Sequence, residues 1–225
     1  MAKGVKAVKR VTKKELKEDK LVTTYFKARQ YLEEHQKITL RIAGGTVLVI
    51  ALAAFWFMSK SHAESQASYE LSMAILASQS GDAAALTQQF SQIAERYSGT
   101  ASGDAARFYI ARMKFQEHKP EEALQAYDDF LRHASKAGYL YPAALAGKGA
   151  ALEDLNRFGE AAQFYLKAAE FKKDFFAEAG FRLDAGRCFA ASGDKDRARQ
   201  QYQYVLGHYP KTVYFQKAQD GLARL

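Results

Sequence analysis

Four residues recur in a fixed order four times between positions 74 and 205 of this 225-residue chain. A small residue comes first. Twelve positions on stands a second small or apolar residue, four later an aromatic, and three later another small or apolar residue. The copies are Ala74, Leu86, Phe90, Ile93; Ala111, Ala123, Tyr127, Phe130; Gly149, Ala161, Tyr165, Ala168; and Gly186, Ala198, Tyr202, Val205. Their offsets are 37, 38 and 37 residues. A period of that length marks an array of supersecondary units, none of which buries its apolar face alone. The spacing inside each copy predicts a helical hairpin. The small residue lets two helices approach, and the aromatic on the second helix fills the space beside it. The twelve-residue gap holds the end of one helix, a turn and the start of the next.

Turn signals fall where the hairpins need them, at Ser80-Gly81-Asp82, His118-Lys119-Pro120, Asn156-Arg157 and Ser192-Gly193-Asp194. Pro120 suits a first helical position, where its missing N–H costs nothing. Asp82 and Asp194 suit N-caps. Helices are predicted over 63–80, 82–97, 102–117, 120–134, 140–155, 158–171, 176–192, 194–208 and 212–224. The expected fold is all-α: an N-terminal transmembrane helix followed by an α-solenoid. Its domains are a basic tail with an amphipathic juxtamembrane helix (1–37), a membrane span (38–59), four repeats (60–212) and a capping helix (213–225). The segments PEEALQAYDDFL, FGEAAQFYLKAAE and KDRARQQYQYVLGHYP resemble tetratricopeptide repeats, and the resemblance covers about 67–212. Pro210 fits that family's helix-ending proline. The period exceeds the usual length of about 34, Lys114 stands where a large apolar residue is usual, and Leu86 replaces the usual Ala of the first copy.

Ile42 to Met58 is an uncharged run of 17 residues, and Ile38 to Met58 gives 21 with Thr39 and Arg41 included. About 20 apolar residues span a bilayer core as helix. Arg41 is placed to snorkel at the entry, and Phe55, Trp56 and Phe57 cluster at the exit, where aromatic rings favour the interface. A buried core helix and a signal peptide cleaved near Ala63 are the alternatives; about 40 residues ahead of the run make a long leader. Residues 1–41 carry twelve Lys/Arg against five Asp/Glu, a net of +7 out of +8 for the chain. The high pI therefore belongs to the tail, and a nucleic-acid partner is not expected. From Ser59 to Asp104 only Lys60 and Arg96 are basic, against five acids. The positive-inside rule then puts the N-terminus in the cytoplasm and the repeats outside. Residues 1–14 are expected to lack order. Residues 15–37 are expected to form a basic helix, with Leu21, Val22, Tyr25, Phe26 and Leu32 near helical spacing and a lipid surface beside them. No Pro or Gly interrupts Ser59 to Ser80, so the first repeat helix is expected to run on from the span.

Nothing in the sequence signals catalysis. The five histidines lack ligand spacing, and no phosphate loop or GxSxG is present. The single cysteine, Cys188, reads as a packed thiol. No cofactor, metal or small-molecule substrate is expected. Solenoids bind on the concave face built by the first helix of each repeat. The tetratricopeptide resemblance, transferred by position, implies Ala105, Phe108, Tyr109, Arg112 and Phe115 in the second repeat, the small Ala143, Ala146, Gly147 and Ala150 in the third, and Leu183, Asp184 and Arg187 in the fourth. Phe108 and Phe115 read equally well as core.

The layout of basic tail, single span and repeats, with the stretch KARQYLEEHQKITLRIAGGTVLVIALAAFW, resembles the YfgM-like ancillary subunits of the bacterial Sec translocon. That resemblance implies a protein of the bacterial inner membrane with a periplasmic repeat domain, and as partners translocon subunits and a membrane-anchored periplasmic chaperone. A structural envelope scaffold, an accessory subunit of a respiratory or photosynthetic complex and an enzyme are the rival readings, in that order.

Overall fold

The structure is a computed structural model that describes residues 13–77, 83–171 and 177–225. Among these residues all regular structure is helical. Two helices come first, α1 (Lys13–Glu34) and α2 (Gln36–Ala77). Then follow α3 (Ala83–Arg96), α4 (Ala101–Gln116), α5 (Pro120–His133), α6 (Leu140–Asp154), α7 (Phe158–Ala169), α8 (Glu178–Ala191), α9 (Lys195–His208) and α10 (Val213–Ala223). From α3 onward every helix ends within two residues of its predicted bounds. The chain divides into two compact units, one up to Ser59 and one from Lys60 to Leu225.

The first unit holds α1 and the start of α2. Lys13 and Lys14, expected to lack order, open α1; Lys and Glu are good helix formers and extend the helix backward. The rest of the segment expected to be unstructured, and the turn with Asp82, lie outside the described residues. His35 separates α1 from α2. Its carbonyl accepts the Thr39 N–H at 2.9 Å and the Thr39 hydroxyl at 2.7 Å. From Leu40 to Met58 the large apolar side chains of α2 are bare, with Leu40 77%, Phe55 73% and Met58 71% exposed. The one polar side chain in the uncharged run, Thr46, turns its hydroxyl back to the carbonyls of Ile42 (3.0 Å) and Ala43 (2.8 Å). The run therefore presents no unsatisfied polar group. By length and composition α2 is able to cross a membrane.

In the second unit each helix from α3 packs on the next, and α4 touches α6 as α8 touches α10. This is the solenoid arrangement, with first helices layered beside first helices. All sixteen residues of the repeated pattern are buried. Ala74, Leu86, Phe90 and Ile93 share one cluster; Ala111, Ala123, Tyr127 and Phe130 a second; Ala161, Tyr165, Ala168, Ala198, Tyr202 and Val205 a third. Pro120 opens α5, and the Asp194 carboxylate caps α9 by accepting the Arg197 N–H at 3.0 Å. Thr100 and Thr212 cap α4 and α10 in the same way. Lys114 keeps its place in the second repeat because its ammonium reaches out to Glu122 at 2.8 Å.

The small residues of the pattern are small for a measurable reason. A Cβ on Gly186 would stand 2.8 Å from the Tyr202 ring, and one on Gly221 would stand 2.6 Å from the same ring. Tyr202 is thus wedged between the first helix of its own repeat and α10, with no side to retreat to. Gly186→Ala is expected to destabilise the repeat unit by about 1–3 kcal/mol, the usual cost of overpacking. Gly207 has nothing within 4 Å of a built Cβ. Gly207→Ala is expected to stabilise by about 0.5–1 kcal/mol through backbone entropy alone. Urea unfolding of both variants reads the opposite signs.

Candidate functional site

The face built by α4, α6, α8 and α10 is where the expected binding residues fall, and the structure treats them unequally. Phe108 is only 6% exposed. Its ring meets Tyr127 and Phe130 edge-on, at 6.2 and 5.7 Å between centroids. It is a core residue. Phe115 packs half-buried against the same cluster. Tyr109 stacks on Phe90 at 5.4 Å, and the exposed Arg112 guanidinium lies 5.7 Å from the Tyr109 centroid. Of the α4 residues expected to bind, Arg112 is exposed, and Tyr109 beside it is half-buried like Phe115. The small residues of the third repeat do not all leave open space, because a Cβ on Gly147 would meet the Tyr127 ring at 2.3 Å. Ala146 is buried, while Ala143 and Ala150 are half-buried.

Leu183 and Arg187 are brought together in a cleft of about 510 Å³ between α8 and α10. Asp184, Tyr202, Tyr214, Lys217 and Arg224 complete its walls. The α4 residues take no part in it. Arg187 is a tie between repeats as well as a wall. Its guanidinium grips the Glu153 carboxylate of α6 with both nitrogens, the second at 3.0 Å, and also reaches Asp184 at 3.3 Å. Burial pushes the Glu153 carboxyl up, but the hydrogen bond and charge of Arg187 together with hydrogen bonds from Tyr165 and Cys188 outweigh it and hold the group below its ordinary value. Burial raises Asp184 instead, against the pull of Arg187. The network fixes the stagger of α6 on α8 more than it offers free charge.

A second network was not anticipated from the sequence. Glu178 and Arg182, four apart on α8, pair at 2.8 Å with their side chains 7% and 10% exposed. Arg182 also donates to Gln201 at 2.9 Å and lies 3.6 Å from the Tyr204 ring centroid. The Tyr209 hydroxyl donates to Glu178 at 2.9 Å. Spacing of Glu and Arg by four was the available signal, but on a helix it more often marks an exposed pair.

Chemistry is sparse. Burial, then the nearby Glu153, pushes the Cys188 thiol up to about 12, the direction that apolar burial gives a packed thiol. Among the described residues no group of three or more His, Cys, Asp or Glu is placed to hold a metal ion. The aromatic cluster of α2, Phe55, Trp56 and Phe57, is exposed on every ring, as is Arg41 at the other end of the run.

A family model described as a tetratricopeptide repeat-like domain matches residues 29–223. No curated protein matches the chain in sequence. Among solved structures, the nearly identical TPR-like repeats of a Podosopora anserina kinesin light chain are similar, with a TM-score of 0.57 at 14% identity. A singly substituted form of the same repeats gives 0.58 at 15% identity. Each comparison covers 72% of this chain and 85% of the other. At that identity the likeness is one of fold.

Proposed function

We propose, on the premise that the chain belongs to the tetratricopeptide repeat-like domain family, that it is a membrane-anchored scaffold for protein partners. The observation that carries the anchor is the bare, uncharged stretch of α2 whose one polar hydroxyl is satisfied within the helix. Such an apolar surface is stable only when lipid or another apolar surface covers it. The family match begins at residue 29 and so runs through this helix, which supports counting the helix as part of the domain. Twelve basic residues ahead of the run favour a cytoplasmic N-terminus and a repeat unit across the membrane. Arg41 and the Phe55-Trp56-Phe57 cluster then sit at the two interfaces. Family membership supports non-enzymatic protein binding, and the cleft between α8 and α10 with the Tyr109–Arg112 pair gives two places for it.

The finer reading is an ancillary subunit of the Sec translocon in the bacterial inner membrane, linking secretion to a membrane-anchored periplasmic chaperone. It rests on the layout and on the resemblance of the anchor stretch. The test is affinity purification of the full-length protein in mild detergent, with mass spectrometry, repeated on a chain lacking 60–225. Translocon subunits with a periplasmic chaperone are expected, and the chaperone alone is expected to vanish on truncation. Envelope-assembly or electron-transfer subunits without translocon components would overturn the finer reading and leave the anchored scaffold.

A further inference from the structure

The cleft between α8 and α10 holds three donors that lack acceptors. Lys217 and Arg224 line it from α10, and both are exposed. Among the described residues neither meets an acid within ion-pair distance, and neither side chain donates a hydrogen bond. The acids nearby are otherwise engaged. Asp184 accepts from Arg187, which also grips Glu153. Asp220, exposed at the rim, accepts from the Gln216 amide at 3.3 Å. The third donor is Tyr202, only 5% exposed and wedged between Gly186 and Gly221. Its hydroxyl makes no hydrogen bond to a described residue. Among those residues no buried side-chain oxygen or nitrogen lacks a partner, so this hydroxyl is the part of Tyr202 that reaches the cleft. A buried tyrosine usually finds a partner for its O–H. Here the partner has to come from what enters the cleft.

We propose that the cleft takes an acidic segment of a partner protein, with two of its carboxylates on Lys217 and Arg224 and the Tyr202 hydroxyl donating between them. This deepens, and rests on, the reading of the cleft as a place for protein binding. Lys217 and Arg224 are seven residues apart, about 10 Å along a helix axis at 1.5 Å per residue. Gly221, against which the Tyr202 ring ends, lies between them. A single chain-terminal carboxylate does not bridge that distance. Acidic side chains three apart on a polyproline-II segment do, because they share one face and stand about 9 Å apart. Leu183 and Tyr214 line the same cleft and give apolar surface to the residues that separate the acids. Cations with no partner of their own meet such a segment without first breaking an ion pair.

The test is fluorescence anisotropy on the full-length protein in non-ionic detergent. The probes are a fluorescein-labelled peptide of four Glu-Leu-Pro repeats and its Gln and Lys counterparts. The Glu peptide is expected to bind about tenfold more tightly than the Gln peptide, and the Lys peptide least tightly. Lys217→Ala with Arg224→Ala is expected to remove that preference, and both side chains are exposed, so the fold is kept. Tyr202→Phe keeps the ring and is expected to weaken the Glu peptide about threefold at an unchanged urea midpoint. Lys167→Ala removes an exposed cation on α7 and is expected to change nothing. Glu and Gln peptides bound alike, or a preference that survives the double variant, overturns the proposal. Lys217→Trp separates it from the reading beneath it. Three peptides bound alike and all blocked by Lys217→Trp keep the cleft as a place for protein binding and overturn only its choice of acids. No binding of any of the three overturns both.

Discussion

Arg182→Ala is expected to lower the unfolding free energy of the repeat unit by about 3–5 kcal/mol, because it leaves the Glu178 carboxylate buried without its partner. The neighbours that remain to Glu178, the Tyr209 and Tyr204 hydroxyls, carry no charge to offset its own. Its second oxygen already accepts from Tyr209, and its side chain is only 7% exposed. The loss also strips Gln201 of a donor and Tyr204 of the cation over its ring. Replacing the pair together, Arg182→Met with Glu178→Leu, is expected to recover part of the loss, since buried ion pairs give way to apolar residues at little cost. Recovery stays partial because Gln201 and the Tyr209 hydroxyl still lose their partners. Urea midpoints of the three proteins decide this, and a double variant no better than Arg182→Ala would mean that the pair itself stabilises. Acid gives a second reading. Burial pushes Glu178 up, but hydrogen bonds from Arg182, Tyr209 and Tyr204 and the charge of Arg182 together outweigh it and hold the group below its ordinary value. A depressed carboxylate contributes stability above its unfolded value, and that stability is lost as pH falls through the folded value. The wild type is therefore expected to lose stability on acidification below about pH 4.5, and Arg182→Ala to lose less.

The spacing of Ala74, Leu86, Phe90 and Ile93 and its three echoes was legible because each quartet reports burial on a helical period, and burial follows from periodicity alone. The same logic could not say which buried residue also faces a groove. Phe108 carries the right spacing for either role, and only its contacts with Tyr127 and Phe130 decide for the core. Arg187 was legible as a residue on the correct face. Its engagement by Glu153, 34 positions earlier, depends on the stagger between α6 and α8, which no local pattern encodes. Glu178 and Arg182 went unread because an i, i+4 pair looks alike whether water or Tyr204 lies above it. Thr100 and Thr212 followed no turn signal of the kind that marked Asp194, yet each caps a helix through its hydroxyl. What was missed is thus lateral, set by how neighbouring repeats are staggered, and what was read is axial, set along each helix.

Phe189→Ala is expected to cost about 3–5 kcal/mol, the usual price of emptying a fully buried phenyl site. Phe189 is 0% exposed, shares a cluster with Leu152, Tyr165, Tyr202 and Val205, and has the Arg197 guanidinium 4.5 Å from its centroid. Phe90→Ala, in the first repeat, empties an equally buried site and is expected to cost a similar amount. The two differ in where the loss is felt. A solenoid is stabilised by each repeat and its neighbours, so disruption spreads by contact and not through the whole array. Cys188 reports this directly, since it is the single thiol of the chain, wholly buried, and adjacent to Phe189. Its labelling by a thiol reagent under native conditions follows the population of the locally opened state. Phe189→Ala is expected to speed labelling on the order of 100-fold or more, at tenfold for each 1.4 kcal/mol. Phe90→Ala is expected to speed it far less, because two repeats stand between it and the thiol. Equal acceleration by both variants would mean that the four hairpins open as one cooperative block, and that coupling along the array is strong enough to carry a change at one end to the other.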